Sequence, residues 1–179
     1  IGISLILNAP VYGSHSVDTG FADVKPGYSA GVHMNDWEDF ELCIEQGFDI
    51  LFLLGWGEPE EFVKTVKEAV KRAQGRVVIQ AGVPHGPGLM YAQQSPFDLR
   101  QLVTPEYAAA IVDAGVDILD IPAAGSLPGF TTDYVAKLID IAHKGGAIVN
   151  VGIHNSQEGT DVETIGRIAI DNKIAGADM

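Results

Sequence analysis

Cysteine is almost missing from this sequence: Cys43 is the single one, which excludes an internal disulfide and a cysteine metal cluster and makes a reducing cytoplasm the expected compartment. Basic residues are scarce as well. The 11 Lys and Arg face 24 Asp and Glu, a net charge of −13, so the clustered positive charge that nucleic acid or anionic lipid requires is lacking. No apolar run approaches the roughly 20 residues that cross a bilayer, so a membrane partner is not expected. No basic stretch precedes Ile1, so a secretory signal is not expected either. Neither G-x-G-x-x-G nor G-x-x-x-x-G-K-[ST] occurs after any apolar run, which leaves no nucleotide cofactor signature. No lysine falls in a strand reading, so a Schiff-base lysine is not in this segment.

What the chain does have is 21 glycines and a repeating alternation of helix signals with short Val/Ile/Leu-rich runs. The runs read as strands at Ile3 to Leu7, Asp49 to Leu54, Arg76 to Gln80, Val116 to Ile121 and Ala147 to Val151. Each is continuously apolar, as parallel strands buried on both faces are. Helix starts are marked by Asn35 with Glu38, Thr104-Pro105-Glu106, Thr131-Thr132-Asp133 and Thr160 with Glu163. Helix stops fall at Gly47, Gly75, Gly115, Gly145 and Gly176, and five helices follow.

Those glycines lie 28, 40, 30 and 31 residues apart, and three open the same pattern: Gly47-Phe48-Asp49-Ile50, Gly115-Val116-Asp117-Ile118 and Gly176-Ala177-Asp178-Met179. An open doubly wound sheet and a closed (β/α)8 TIM-type barrel both fit a parallel repeat; eight units of about 32 residues give about 255, the usual barrel size. With no dinucleotide or P-loop turn to support the open sheet, the expected fold is the α/β barrel. Residues 1–179 would be one partial barrel domain of about five to six βα units, truncated at the C-terminus, where 175–179 opens another strand, and at the N-terminus, which lacks a start methionine. Open strand edges and apolar faces in such an arc make a homo-oligomer an expectation.

Barrel active sites are built by the βα loops, and here the loops from Asn8 to His33 and from Gly82 to Val103 are long, which usually signals function. Five residues beyond three of the stop glycines stand Gln80, Asp120 and Asn150, with Asn8 in a similar position after the first strand. They are expected to line one cavity at one depth, either binding a substrate or satisfying one another inside the barrel. Asp120 is the sharpest candidate, because a carboxylate within an apolar run is desolvated and becomes a base or a metal ligand. Asp117, whose counterparts Asp49 and Asp178 begin other strands, reads as structural. His85, between prolines and glycines, and His154, in the polar loop His154-Asn155-Ser156-Gln157-Glu158, are candidates for acid–base or ligand roles. That loop leads into a capped helix whose dipole favours an anion. The catalytic set is therefore Asp120, His154 and Glu158, and the substrate-binding set Asn8, Trp56, Gln80, His85, Asn150, Asn155 and Gln157. A divalent metal, if one is used, would take His85, Asp120 and His154. Trp56 either covers a ligand or plugs the barrel top. Tyr12, His15 and Asp18 lie in a loop with the makings of a lid, and His33 and His143 read as structural.

Ile3-Ser4-Leu5-Ile6-Leu7-Asn8-Ala9-Pro10, Asp120-Ile121-Pro122-Ala123-Ala124-Gly125 and Gly152-Ile153-His154-Asn155-Ser156-Gln157-Glu158-Gly159 together resemble an uncharacterised bacterial TIM-barrel family. Its members occur beside sugar phosphotransferase genes and sometimes carry a haloacid dehalogenase-like hydrolase label. The resemblance implies fold more than activity. The hydrolase label does not carry over, because that chemistry uses Asp-x-Asp and Asp117 and Asp120 have a different spacing. Three functions stay open: an acid–base lyase or isomerase on a small phosphorylated or carboxylated sugar derivative, a metal-dependent hydrolase, and a non-catalytic metabolite-binding partner of a sugar transport system.

Overall fold

The apolar runs become parallel strands because each must bury both faces, and the helices between them supply the cover for one face only. The computed structural model describes residues 6–7, 33–34, 37–54, 59–82, 103–153 and 160–179. Its elements are β1 (Ile6–Leu7), β2 (His33–Met34), α1 (Trp37–Glu45), β3 (Ile50–Leu54), α2 (Pro59–Ala73), β4 (Val78–Gly82), α3 (Pro105–Asp113), β5 (Ile118–Pro122), α4 (Thr132–Lys144), β6 (Ile148–Gly152) and α5 (Val162–Ala175). All strands are parallel, in the order β2-β1-β3-β4-β5-β6.

From β3 to β6 the order follows the sequence, while the two-residue β2 departs from it by pairing on the other side of β1. Alternate residues Leu51, Leu53, Ile79, Ala81, Leu119, Ile121 and Val149 form one buried cluster with Phe40 of α1, Phe62 and Val66 of α2, Ile111 of α3 and Leu138 of α4. The intervening residues point to the other side, where β4 and β6 place the half-buried Gln80 and Asn150. Four successive parallel strands, β3 to β6, with helices between them form the wall of a (β/α)8 barrel, and the chain is an arc of about five to six βα units of it. Among the described residues no helix is long and apolar enough to cross a membrane.

The Gly-x-Asp repeat acts as a register clamp. Asp117 Oδ2 accepts the Ile79 N–H across the sheet at 2.8 Å, and Asp178 Oδ2 accepts the Val149 N–H at 2.8 Å. His143 Nε2 lies 2.8 Å from that same Asp178 oxygen, and this bond, then the one from Val149, holds the Asp178 carboxyl below its ordinary range. The structural reading of Asp117 and His143 thus holds. Asp178 and Met179 carry the ladder past β6, with Val151 N–H donating to the Met179 carbonyl at 3.0 Å.

Several local expectations need correction. β4 runs Val78–Gly82 rather than from Arg76, because Arg76 closes α2: its N–H donates to the Ala73 carbonyl at 2.9 Å and its guanidinium reaches the Arg72 carbonyl at 2.8 Å. β2 pairs beside β1 within what read as loop. Thr104 and Thr131 cap α3 and α4 as expected, accepting from Tyr107 and Tyr134. At α5, by contrast, the cap is Asp161, not Thr160; its carboxylate accepts the Thr164 N–H at 2.7 Å, a charge-assisted bond that a hydroxyl cannot match. The left-handed residue after α4 is Gly146 (φ +87°), one beyond the predicted Gly145, which caps the helix at φ −84° and lets it pack close to Val112 of α3. Asn35 and Ile3 to Leu5 lie outside the described residues.

If the aspartates clamp register, Asp117→Ala is expected to cost about 1–2 kcal/mol through the lost acceptor for Ile79, with Asp117→Asn milder. Urea unfolding midpoints of the two variants check this, and an unchanged midpoint for Asp117→Ala contradicts it.

Candidate functional site

Strand periodicity places three polar side chains on the face away from the helices. Asp120 stands third in β5, in register with Asn150 of β6 on one side and Gly82 of β4 on the other. Gln80 is paired with Ile118, one step lower on β4 than the expected common depth. Gln80 stands third in β4 as Asp120 does in β5, so the offset comes from the stagger between the two strands, which pairs Gly82 and not Gln80 with Asp120. The longer Gln side chain spans the offset: Gln80 Nε2 donates to Asp120 Oδ1 at 2.9 Å, and Asn150 Nδ2 donates to the same oxygen at 2.5 Å. The amide nitrogens must face the carboxylate, since a flipped amide would set oxygen against oxygen.

Gly82, which read only as the start of a loop, makes this packing possible. A Cβ there would lie 2.4 Å from the Asp120 carbonyl oxygen and 2.6 Å from its Cβ. Any side chain at this position would push β5 away from β4, so glycine is required by close approach rather than by a turn.

Asp120 is 3% exposed. Burial raises its pKa to about 6 from an ordinary 3.8, with the bonds from Asn150 and then Gln80 opposing that rise. Desolvation outweighs these two bonds, whose donors are neutral amides. Asp120 is the one carboxylate in the described strands, and they contain no Lys or Arg.

The segment after Asp120 is pinned by a residue that the sequence did not single out. Asn172 of α5, 2% exposed, accepts the Ala124 N–H at 2.7 Å and donates to the carbonyls of Ala124 at 3.2 Å and Ile168 at 2.7 Å. Its side chain serves both the N–H and the carbonyl of Ala124, while Ala123 N–H donates to the Gly152 carbonyl of β6.

Of the predicted site residues, the structure brings together Gln80, Asp120 and Asn150. Asn8, Trp56, His85, His154, Asn155, Gln157 and Glu158 lie outside the described residues, as do Tyr12, His15 and Asp18. Among the described residues no three His, Cys, Asp or Glu side chains converge as a metal site would require.

The chain belongs to the family described as a domain of unknown function, DUF7916, which matches residues 1–179. No curated protein matches it in sequence. Among solved structures it is similar to a fructose-bisphosphate aldolase from Slackia heliotrinireducens DSM 20476, at 14% identity and a TM-score of 0.52 over 79% of this chain and 44% of that one. It is also similar to the YdjI aldolase from Escherichia coli K12, at 14% identity and a TM-score of 0.52 over 96% of this chain and 72% of that one. A xylose isomerase domain protein from Planctomyces limnophilus aligns at 11% identity and a TM-score of 0.51 over 94% of this chain and 58% of that one. The chain spans 44% of the first structure's length, and at these identities the likeness is one of fold.

A carboxyl with a folded pKa above its unfolded one binds its proton more tightly when folded. Its contribution to stability is therefore full below pH 3.8, falls as pH rises to about 6, and is flat beyond. The drop is expected to be about 3 kcal/mol at most. Asp161 and Asp178, whose carboxyls are held below their ordinary range, titrate with the opposite slope. The difference between wild type and Asp120→Asn, from urea melts across this window, isolates the Asp120 slope, and a pH-independent difference contradicts the assignment.

Proposed function

We propose that this DUF7916 chain belongs to an enzyme of lyase or isomerase type that acts on a small phosphorylated or carboxylated sugar derivative by acid–base chemistry. Asp120 moves the proton, and Gln80 and Asn150 hold it in place. One observation carries the reading: a carboxyl inside the barrel wall, pinned by two neutral amides, has a pKa of about 6. Such a group is mostly ionised near neutrality yet still basic enough to take a proton, which an ordinary surface carboxylate does poorly.

In the proposed step Asp120 takes a proton from a substrate carbon or hydroxyl beside a carbonyl. The electron pair moves toward the carbonyl oxygen or breaks the neighbouring C–C bond, and the proton returns to the product. His154 and Glu158, from the loop that follows Ile153, are proposed as the second proton carrier. Position supports the assignment, since barrel enzymes place their chemistry toward the C-terminal ends of the strands, and Asp120 lies two residues from the end of β5. The aldolases and the xylose isomerase domain protein that share the fold favour lyase or isomerase over hydrolase. The resemblance to proteins encoded beside sugar phosphotransferase genes points to the same substrate class.

The test is proton exchange. Incubating the protein in D2O with a panel of sugar phosphates and sugar acids, read by proton NMR, registers both lyase and isomerase half-reactions. Asp120→Asn keeps both amide bonds while removing the charge, so turnover is expected to fall at least about a hundredfold, with the melting temperature at neutral pH unchanged or higher. A variant that retains turnover and melts lower retires Asp120 as the proton carrier. Saturable binding with no exchange by the wild type would favour the transport-partner reading instead. Turnover lost on chelation would favour a metal held by His85, Asp120 and His154.

A further inference from the structure

Helix α5 carries apolar residues on both of its sides. Ile168 and Asn172 are buried against the rest of the arc, yet Ile170 is 62% exposed, Ile174 74% and Val162 89%. Successive helical residues turn by about 100°, so residues two apart point to nearly opposite sides. Gly166 and Ile170 flank Ile168 in this way, and Ile170 and Ile174 flank Asn172, which sends all three outward, away from the sheet. The helices of a barrel form an outer ring whose neighbours stand side by side. A βα unit set against residues 178–179 would therefore adjoin α5 laterally and leave this outer face open. An apolar outer face of this kind marks a surface that meets another protein.

Gly166 sharpens the point. A Cβ there would meet nothing within 4 Å, so the fold of its own chain does not require a glycine. In a helix interior glycine costs about 1 kcal/mol relative to alanine. What it provides is a hollow beside Ile170, where a second helix can come close.

The pattern around that hollow is symmetric. Counted from Ile168, the residues two positions either way are Gly166 and Ile170, those five positions either way are Glu163 and Lys173, and those six positions either way are Val162 and Ile174. In an antiparallel pair of α5 helices centred there, each residue stands level with its counterpart in the other copy. Isoleucine then meets glycine at the centre, glutamate meets lysine at each flank, and valine meets isoleucine at the ends. Such self-complementarity is what a twofold contact between identical chains requires. We infer that the outer face of α5 is the surface through which two copies of this chain pair, antiparallel, about Ile168. The contact lies on the helical layer, away from Gln80, Asp120 and Asn150, and does not depend on the acid–base reading.

The test is the mass of the protein in solution as a function of concentration, by sedimentation equilibrium at physiological ionic strength. The wild type is expected to dimerise with a Kd on the order of 10 μM, since a single helix pair lies at the small end of specific interfaces. Gly166→Gln is expected to weaken association at least about tenfold while the melting temperature of the monomer holds or rises, because the site has room for a side chain and gains helix propensity. Glu163→Lys and Lys173→Glu are each expected to weaken association about three- to tenfold, and the double exchange to restore it. Lys173 Nζ also donates to the Ala177 carbonyl at 3.3 Å, so restoration in the double exchange, and not the loss in Lys173→Glu alone, decides the register. A wild type that stays monomeric at every concentration overturns the inference. So does an oligomer that Gly166→Gln leaves unchanged, or a double exchange that associates no more tightly than either single one.

Discussion

A parallel sheet covered by helices on one face has a second face that its own strand side chains must fill. In this chain that constraint falls on β4, β5 and β6, where the filling is polar: Gln80 and Asn150 both donate to Asp120, which lies across from Gly82. Burying a carboxylate costs several kcal/mol unless it is paired, and two neutral amides compensate only in part. The unrecovered cost appears as the raised pKa of Asp120. A structural polar contact would be more stable with a cation or an apolar replacement at the centre, so the arrangement favours a poised carboxyl over a maximally stable wall.

The other parts of the arc keep that contact in place. The Asp117 carboxylate fixes β5 against β4, so that Asp120 falls beside Gly82 and within reach of Gln80, and the Asp178 carboxylate fixes the segment after α5 against β6. Gly82 sets how closely β4 approaches β5. Asn172 ties Ala124, four residues beyond Asp120, to α5. Strand ends opposite the reactive group thus carry the clamps, while the centre and C-terminal ends carry the chemistry, the division of labour expected of a (β/α)8 barrel.

Much of this was legible in the sequence because its signals are local. Continuous apolar runs such as Val116 to Ile121 mark buried parallel strands, Thr104-Pro105-Glu106 marks a helix start, and a lone Asp inside an apolar run stands out. What escaped was set by register between distant segments. Nothing near Gly82 says that Asp120 lies across it, and nothing near Asn172, within a mixed polar stretch of α5, says that it is buried against Ala124. The lower position of Gln80 comes from the stagger of β4 against β5, which no local signal carries. Thr160 and Asp161 compete for the same cap, and spacing alone favoured the weaker acceptor. As for the site, its central three residues follow from strand periodicity, whereas the loop candidates His85, His154 and Glu158 rest on composition.

The central claim is that burial, opposed by two amides, sets the proton affinity of Asp120. Carboxyl 13C NMR of the labelled aspartates measures it directly. The account predicts one aspartate titrating near 6, absent in Asp120→Asn, with its midpoint moving higher in Asn150→Leu because that variant removes a donor to the charged form. A wild-type Asp120 midpoint in the ordinary carboxylate range, unmoved in Asn150→Leu, would contradict it.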